Sequence, residues 1–358
     1  ASGVAAVTSG RGAAPDHRRP AVWLAWLGVA VLIACYLGPV WSDWSRTVVV
    51  PYKGVDVFLQ VGLLKWSAQT WWQPAQWVDL PIFHPVDGAI GLMDSLLGQA
   101  WLVWPVEAIA RPTAAALYNL AFLASLVLAT VGMAVLWLAS GGSRAAAGVA
   151  ALALLGAPYT ATVLEHLNQL PPPLVLFALA SLVWGLRRLD AGRSAATAWW
   201  LLGLCLVLQA AWGWYGFAYA ILAVPVVAGT WLCRRARRRG RSSLRIGQAA
   251  LRAAIPLALG AALVLALAQP QLSLGRRYAD FTRSRADVRW GSADIQHLFN
   301  RGVYRTGPSD WLGRGETGAA RYRDDRRQVL NPGWVGLALA AAGWWQRRRL
   351  TGERRWIG

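Results

Sequence analysis

The chain has 358 residues, 56% of them hydrophobic and only 15% charged, with 23 tryptophans and a formal net charge of +19. Soluble domains carry about 25% charged residues, so this deficit, joined to repeated apolar runs near bilayer length, excludes an ordinary soluble globule. The runs are continuous rather than alternating, which argues against a β-barrel. The basic stretches are short, flank apolar runs and carry no reader module, which sets nucleic acid aside as a partner.

The predicted fold class is an all-α polytopic membrane protein of about eight transmembrane helices, with a first extracytoplasmic loop of interfacial helices. Residues 1–20 are rich in Gly, Ala and Ser, end on Arg18 and Arg19, and read as a cytoplasmic disordered tail. A first span follows over 22–40, too long for a signal-peptide core and without a cleavage site. Trp41 and Trp44 anchor it at the far interface.

Residues 41–111 form the organising loop, holding Asp43, Asp56, Asp79, Asp87 and Asp94 among tryptophans, prolines and glycines. Carboxylates next to hydrocarbon are costly unless they serve a purpose. Within the loop, 55–72 predicts an amphipathic interfacial helix in which Val57, Leu59, Leu63, Leu64 and Trp66 alternate with Asp56, Gln60, Lys65 and Gln69. Pro74 ends it, and 79–87 is turn-rich. Residues 96–110 are apolar but fall below the roughly 20 residues a crossing needs.

Parity decides whether 96–110 crosses. Counting back from the basic run 234–245, the spans 214–232, 198–212, 174–186, 145–164 and 113–139 alternate direction. They place Arg144, Arg187, Arg188 and Arg193 inside and Thr113 outside. The first span also ends outside, so the two counts agree only if 96–110 lies along the interface. Beyond the basic run, 251–268 crosses outward, 269–332 is an extracytoplasmic polar loop, and 333–345 crosses back to a basic end in 333–358. The transmembrane module is thus 21–268, the N-terminus is cytoplasmic, and no internal repeat supports an inverted-repeat transporter. Cys35, Cys205 and Cys233 sit in or beside apolar runs with no disulfide or metal spacing, and read as small buried hydrophobes.

Three polar groups converge on the predicted outer face. Asp56 opens the first interfacial helix. Asp94 opens the second, with His84 and Asp87 upstream; capping that helix is its alternative role. Glu165 and His166 stand at the outer end of a span, where a histidine bonded to a carbonyl is the plainer reading. Two carboxylates from separate loops can act as general base or hold a divalent metal, magnesium or manganese, here Asp56 with Glu165. Arg276 and Arg277 follow an outward span and suit a phosphate, although a solvated basic loop explains either one alone. Trp214 and Tyr215, within the run from Trp212 to Gly216, join two spans; an aromatic belt accounts for Trp212, and the glycines permit close approach of a lipid or sugar.

The order of several short motifs resembles the GT-C class of integral-membrane glycosyltransferases, in a bacterial branch related to the dolichyl-phosphate-mannose mannosyltransferases. These are Asp79-Leu80-Pro81-Ile82-Phe83-His84-Pro85, Met93-Asp94-Ser95-Leu96-Leu97-Gly98-Gln99, Tyr118-Asn119, Ser143-Arg144, Pro158-Tyr159, His166-Leu167, Trp214-Tyr215-Gly216 and Ser292-Ala293-Asp294, across 52–345. Ser95 stands where that pattern has a histidine. The resemblance implies a catalytic acid near the start of the first outer loop, matched by Asp56, and a second acidic position matched by Glu165. It also implies transfer of a sugar from a polyprenyl-phosphate donor to a glycan, lipid or protein acceptor on the extracytoplasmic face of a bacterial plasma membrane. Asp56 and Asp94 are then the catalytic candidates. Glu165, His166, His84, Trp214, Tyr215, Arg276 and Arg277 are the substrate-binding ones. A lipid or glycan transporter or flippase, and a non-catalytic membrane scaffold, are the competing readings.

Overall fold

The computed structural model describes residues 19–49, 55–77, 96–157, 160, 163–164, 166–239 and 243–277, the side chains of 19, 55–56, 75, 236–239, 243–250, 274–275 and 277 aside. The span expected over 333–345 and most of the polar loop 269–332 lie outside these residues. The described elements are helical: α1 (Arg19–Leu37), α2 (Val55–Gln69), α3 (Leu97–Ala110), α4 (Ala114–Ala139), α5 (Arg144–Leu155), α6 (Pro173–Asp190), α7 (Ala196–Trp212), α8 (Trp214–Arg239) and α9 (Ser243–Arg277), with short 3-10 turns after α1 and α2.

Among the described residues four stretches are long and apolar enough to cross a membrane: Pro20–Val40, Ala114–Ala139, Trp214–Arg235 and Leu251–Ser273. Their faces agree with that. On α1, Trp23, Leu24, Leu27 and Val31 are exposed, and on α9 so are Leu251, Ile255, Leu259 and Leu263 at four-residue spacing. Apolar stripes of this extent are covered by lipid rather than water, and the architecture is that of a helical membrane protein. Two further apolar helices are shorter than a bilayer crossing. α5 has 12 residues and α7 has 17, about 18 and 26 Å against a hydrocarbon core of about 30 Å. The helix predicted over 145–164 stops at Leu155 because Gly156 and then Pro158 follow, and the residue before a proline is pushed out of helical geometry. α9 shows the opposite correction: it continues through Gln269 to Arg277, so the first nine residues assigned to the polar loop are helical.

Local chemistry sets the boundaries. Thr113 and Ser143 cap α4 and α5, their hydroxyls accepting from Ala116 N and Ala146 N, each at 3.2 Å. α3 is flanked by two left-handed residues that are not glycine, Leu96 (φ 50°) and Arg111 (φ 46°). This is backbone strain that the surrounding contacts must overcome. Its N-cap is Leu96, with no side-chain cap; Asp94 lies outside the described residues.

Packing divides into two cores. One gathers α1 to α5 around Tyr118, Phe122, Leu63, Leu64 and Leu126, with Leu167 and Leu170 from the following loop. The other gathers α6 to α9 around Ala178, Leu182, Trp199 and Leu202. The α4–α6 contact joins them. Small residues allow close approaches: Gly148 lies against Ala25, and Gly203 against the Pro256 carbonyl. Of the three cysteines only Cys205 is buried. Cys35 and Cys233 are exposed on apolar helices, contrary to the expectation for all three, because each faces away from its core.

The helix ends sort into two groups. At the loop-rich end, Tyr36 donates its hydroxyl to Leu155 O at 2.6 Å, and Thr113 donates to Ser45 O. Buried Asn119 accepts from Val49 N at 3.0 Å and donates to Trp44 O and Thr47 O at 3.0 and 2.7 Å. Asp43 closes its own turn, accepting from Ser45 Oγ and Arg46 N. At the arginine end, Arg187 reaches Ala139 O at 2.7 Å and Arg235 pairs with Asp190 at 2.7 Å. Both ends of α3 belong to the loop-rich end. Gly98 touches Trp212, at the last turn of α7, and Arg111 leads straight into the cap of α4.

Candidate functional site

The loop-rich end is where the polar side chains meet. α2 supplies two of its polar groups to each of two neighbours. Gln60 turns toward the loop after α5, its Oε1 accepting from Leu167 N at 2.8 Å and its Nε2 donating to Asn168 Oδ1 at 3.3 Å. Lys65 and Gln69 turn instead toward α3. Lys65 Nζ donates to Glu107 Oε2 at 2.6 Å and to Pro112 O at 2.7 Å, and Gln69 Nε2 donates to Glu107 Oε1 at 3.2 Å. The predicted amphipathic pattern is therefore corrected. The polar residues do not form one solvent face, since Gln60 and Lys65 are five positions apart and point about 140° apart on the helix. Both are half-buried while Phe58 is exposed.

From Asn168 the contacts continue across the end of the bundle. A Cβ on Gly213 would lie 3.0 Å from Asn168 O, and one on Gly216 would lie 2.8 Å from Pro172 Cβ and 2.3 Å from Gln209 Nε2. These two glycines admit the protein's own loop, not a ligand. Gln209 fastens the same corner, accepting from Val175 N at 3.2 Å and donating to Gly213 O at 3.4 Å. Trp214 begins α8. With the Gln271 amide oriented to satisfy both its neighbours, Trp214 Nε1 donates to Gln271 Oε1 at 2.9 Å. A path of contacts thus runs from α2 through the 166–172 loop and the α7–α8 junction to the outer part of α9.

The predicted site residues fall on this path unevenly. His166 sits half-buried in the turn that Gln60 clamps. Trp214 and exposed Tyr215 open α8. Arg276 is exposed near the end of α9, five residues beyond Gln271 and so about 7.5 Å further along that helix. Arg277 ends the helix, its side chain outside the described residues. Asp56 lies in the first turn of α2, one turn before Gln60, and its side chain too is outside them. His84, Asp94 and Glu165 lie outside the described residues, as do Asp79 and Asp87. Among the described residues no group of three or more His, Cys, Asp or Glu is placed to hold a metal; the side chains of both candidate metal carboxylates lie outside those residues.

Several groups escaped the sequence reading. Glu107 is one, hidden in an apolar run. Gln99 is another: it is buried, and among the described residues neither Nε2 nor Oε1 has a hydrogen-bond partner. Trp212, expected in an interfacial belt, is buried against Gly98, and its Nε1 likewise has no partner among the described residues. A Cβ on Gly98 would lie 2.8 Å from Trp212 Cα, a backbone atom that cannot rotate away. Gly98→Ala is expected to destabilise the protein by about 1–3 kcal/mol, read as a lowered thermal midpoint in detergent. An unchanged midpoint would mean that α3 and α7 are not in contact there.

Toward the middle of the bundle, α7, α8 and α9 enclose an apolar cleft of about 160 Å³, lined by Gly203, Leu206, Phe217, Val224, Leu257 and Gly260 among others. Phe217 stands edge-on to Trp214, ring centroids 5.8 Å apart, so the cleft and the polar end share a boundary. No protein-family model, curated protein or solved structure matches the chain.

Proposed function

We propose that the protein is a membrane glycosyltransferase of GT-C type, moving a sugar from a polyprenyl-phosphate donor to a glycan, lipid or protein acceptor at the loop-rich end. On this reading that end is extracytoplasmic, the membrane is a bacterial plasma membrane, and the short helices α5 to α7 cross together with the four long ones and the segment at 333–345. The observation that carries it is the contact path from α2 to α9. It puts His166, Trp214 and Arg276 at one end of the bundle with the helix turn that bears Asp56. An acceptor hydroxyl must lose its proton as it attacks, and Asp56 is the assigned base. The departing group is a phosphate, for which Arg276 and Arg277 supply charge-assisted donors. The amide and indole groups of Gln60, Asn168 and Trp214 suit an uncharged, hydroxyl-rich ligand, and the adjoining apolar cleft suits hydrocarbon.

The deciding experiment is transfer of labelled sugar from a polyprenyl-phosphate donor by the purified full chain in proteoliposomes. Formation of a glycosidic product supports the reading. Movement of the lipid across the bilayer with no bond formed would establish a flippase instead. A divalent metal held by Asp56 and Glu165 belongs to the same proposal. Loss of transfer on chelation, restored by magnesium or manganese, is the expected result, and full transfer in chelator would remove the metal from it.

A further inference from the structure

We propose that the arginine end carries a binding site for the headgroup of an anionic phospholipid, formed by Arg188 and Arg193 at the α6–α7 turn and Arg234 near the end of α8. This inference is independent of the transferase reading and concerns the opposite end of the molecule.

Charge balance points to it first. Between Glu165 and Asp280 the sequence contains one acid, Asp190, against thirteen arginines. That single carboxylate is already committed. Its Oδ1 accepts from Arg235 Nη1 at 2.7 Å and its Oδ2 from Trp231 Nε1 at 2.9 Å. Arg235 is buried and lies over the Trp231 ring, 5.0 Å from its centroid. The three residues act as a staple that holds the last part of α8 against the end of α6. The staple holds the end of α8, with the exposed Arg234 next to Arg235 in sequence, beside the end of α6; among the described residues no carboxylate pairs with Arg234.

The geometry of that turn is fixed rather than floppy. Arg193 N donates to Arg188 O at 2.8 Å, so the two arginines share one turn. Arg188 lies over the Trp184 ring at 5.4 Å, and its Nε donates to Ser194 O. Those contacts orient its guanidinium, and among the described residues its two terminal nitrogens have no partner. Arg193 and Arg234 are exposed, whereas Arg187 is turned away to Ala139 O. A phosphodiester is the ligand that guanidinium forks recognise best. A lipid fits better than a free anion because Trp184, Trp200 and Leu232, apolar and partly exposed, belong to the same ends of α6, α7 and α8. Aromatic and basic side chains at one level are the pattern of a headgroup interface. The rule that collects arginines in cytoplasmic loops requires only their number; it does not require Arg188 to be stacked and oriented.

The test uses the purified full chain in detergent, with phosphatidylglycerol, phosphatidylcholine and inorganic phosphate as separate probes, read by native mass spectrometry and by thermal midpoint. Phosphatidylglycerol is expected to bind about tenfold or more tighter than phosphatidylcholine and to raise the midpoint. Combining Arg188→Gln, Arg193→Gln and Arg234→Gln should erase that preference, while Arg144→Gln, an exposed arginine at the start of α5, should keep it. Should the triple variant not fold, Arg234→Gln alone, at an exposed position, is read the same way and should lower the preference several-fold. Equal binding of the two lipids, or a preference that survives the substitutions, would overturn the site. So would equal stabilisation by inorganic phosphate.

Discussion

Glu107→Ala is expected to cost about 3 kcal/mol of stability and to loosen α2 from α3. The carboxylate is buried, with side-chain exposure of 7%, and meets Lys65 Nζ at 2.6 Å and Gln69 Nε2 at 3.2 Å. Removing one partner of a buried pair leaves the other charge without compensation, typically at a cost of 3–5 kcal/mol. The lower end applies because Lys65 retains 21% side-chain exposure and a second acceptor, Pro112 O. Glu107→Gln keeps the volume and one acceptor, and its loss should be smaller. Replacing both partners by apolar residues, Lys65→Met with Glu107→Leu, should recover much of the stability, since the penalty lies in the stranded charge rather than in the missing attraction. The measurements are thermal midpoints and hydrogen exchange along α2. If Glu107→Ala melts like the parent and α2 exchanges no faster, the pair does not hold these helices together.

How much of this could be read beforehand divides along a physical line. Features set by neighbours in sequence were legible. The apolar run predicts a span over 113–139, and α4 runs from Ala114 to Ala139. That α3 is too short to be a long apolar span was legible from its length. Features set by partners far along the chain were not. Glu107 sits among apolar residues, and its partner Lys65 is 42 positions away. Gln60 belongs by sequence to the polar residues of an interfacial helix, yet it binds Leu167 and Asn168 more than 100 positions on. Trp212 carried the composition of an interfacial belt, and only the contact with Gly98 removes it from that role. Periodicity reports which side of a helix is polar, not whether water or another helix satisfies it. The same limit applies to the site. Sequence could nominate His166, Trp214 and Arg276, but their common location depends on loop 166–172 lying across α7, which two glycines and Gln209 bring about.

Under the proposed transferase reading, these contacts suit α2 to carry a catalytic group. A helix that only floats at an interface positions nothing well. α2 is held on one side by Gln60 and on another by Lys65 and Gln69, while Val57, Leu63 and Leu64 are buried in the first core. A catalytic group gains from such support, since reacting atoms must be held within fractions of an ångström.

Under the transferase reading, Asp56→Asn is therefore expected to lower sugar transfer by about 10²–10⁴-fold, the usual worth of a positioned general base. Folding should change little. Asp56 lies in the first turn of α2, where an acid near the helix N-terminus contributes about 0.3–1 kcal/mol through the dipole. The combination separates a chemical role from a structural one, because Glu107→Ala should lower the midpoint strongly and Asp56→Asn should not. Gln60→Ala provides the bridging case. It removes the link to Leu167 N and Asn168 while leaving the acid in place, so transfer should fall less than in Asp56→Asn, with the midpoint lowered by about 1 kcal/mol equivalent for the lost bonds. Wild-type transfer by Asp56→Asn would end the base assignment. An equal collapse of midpoint and activity in that variant would make Asp56 a residue of the fold instead.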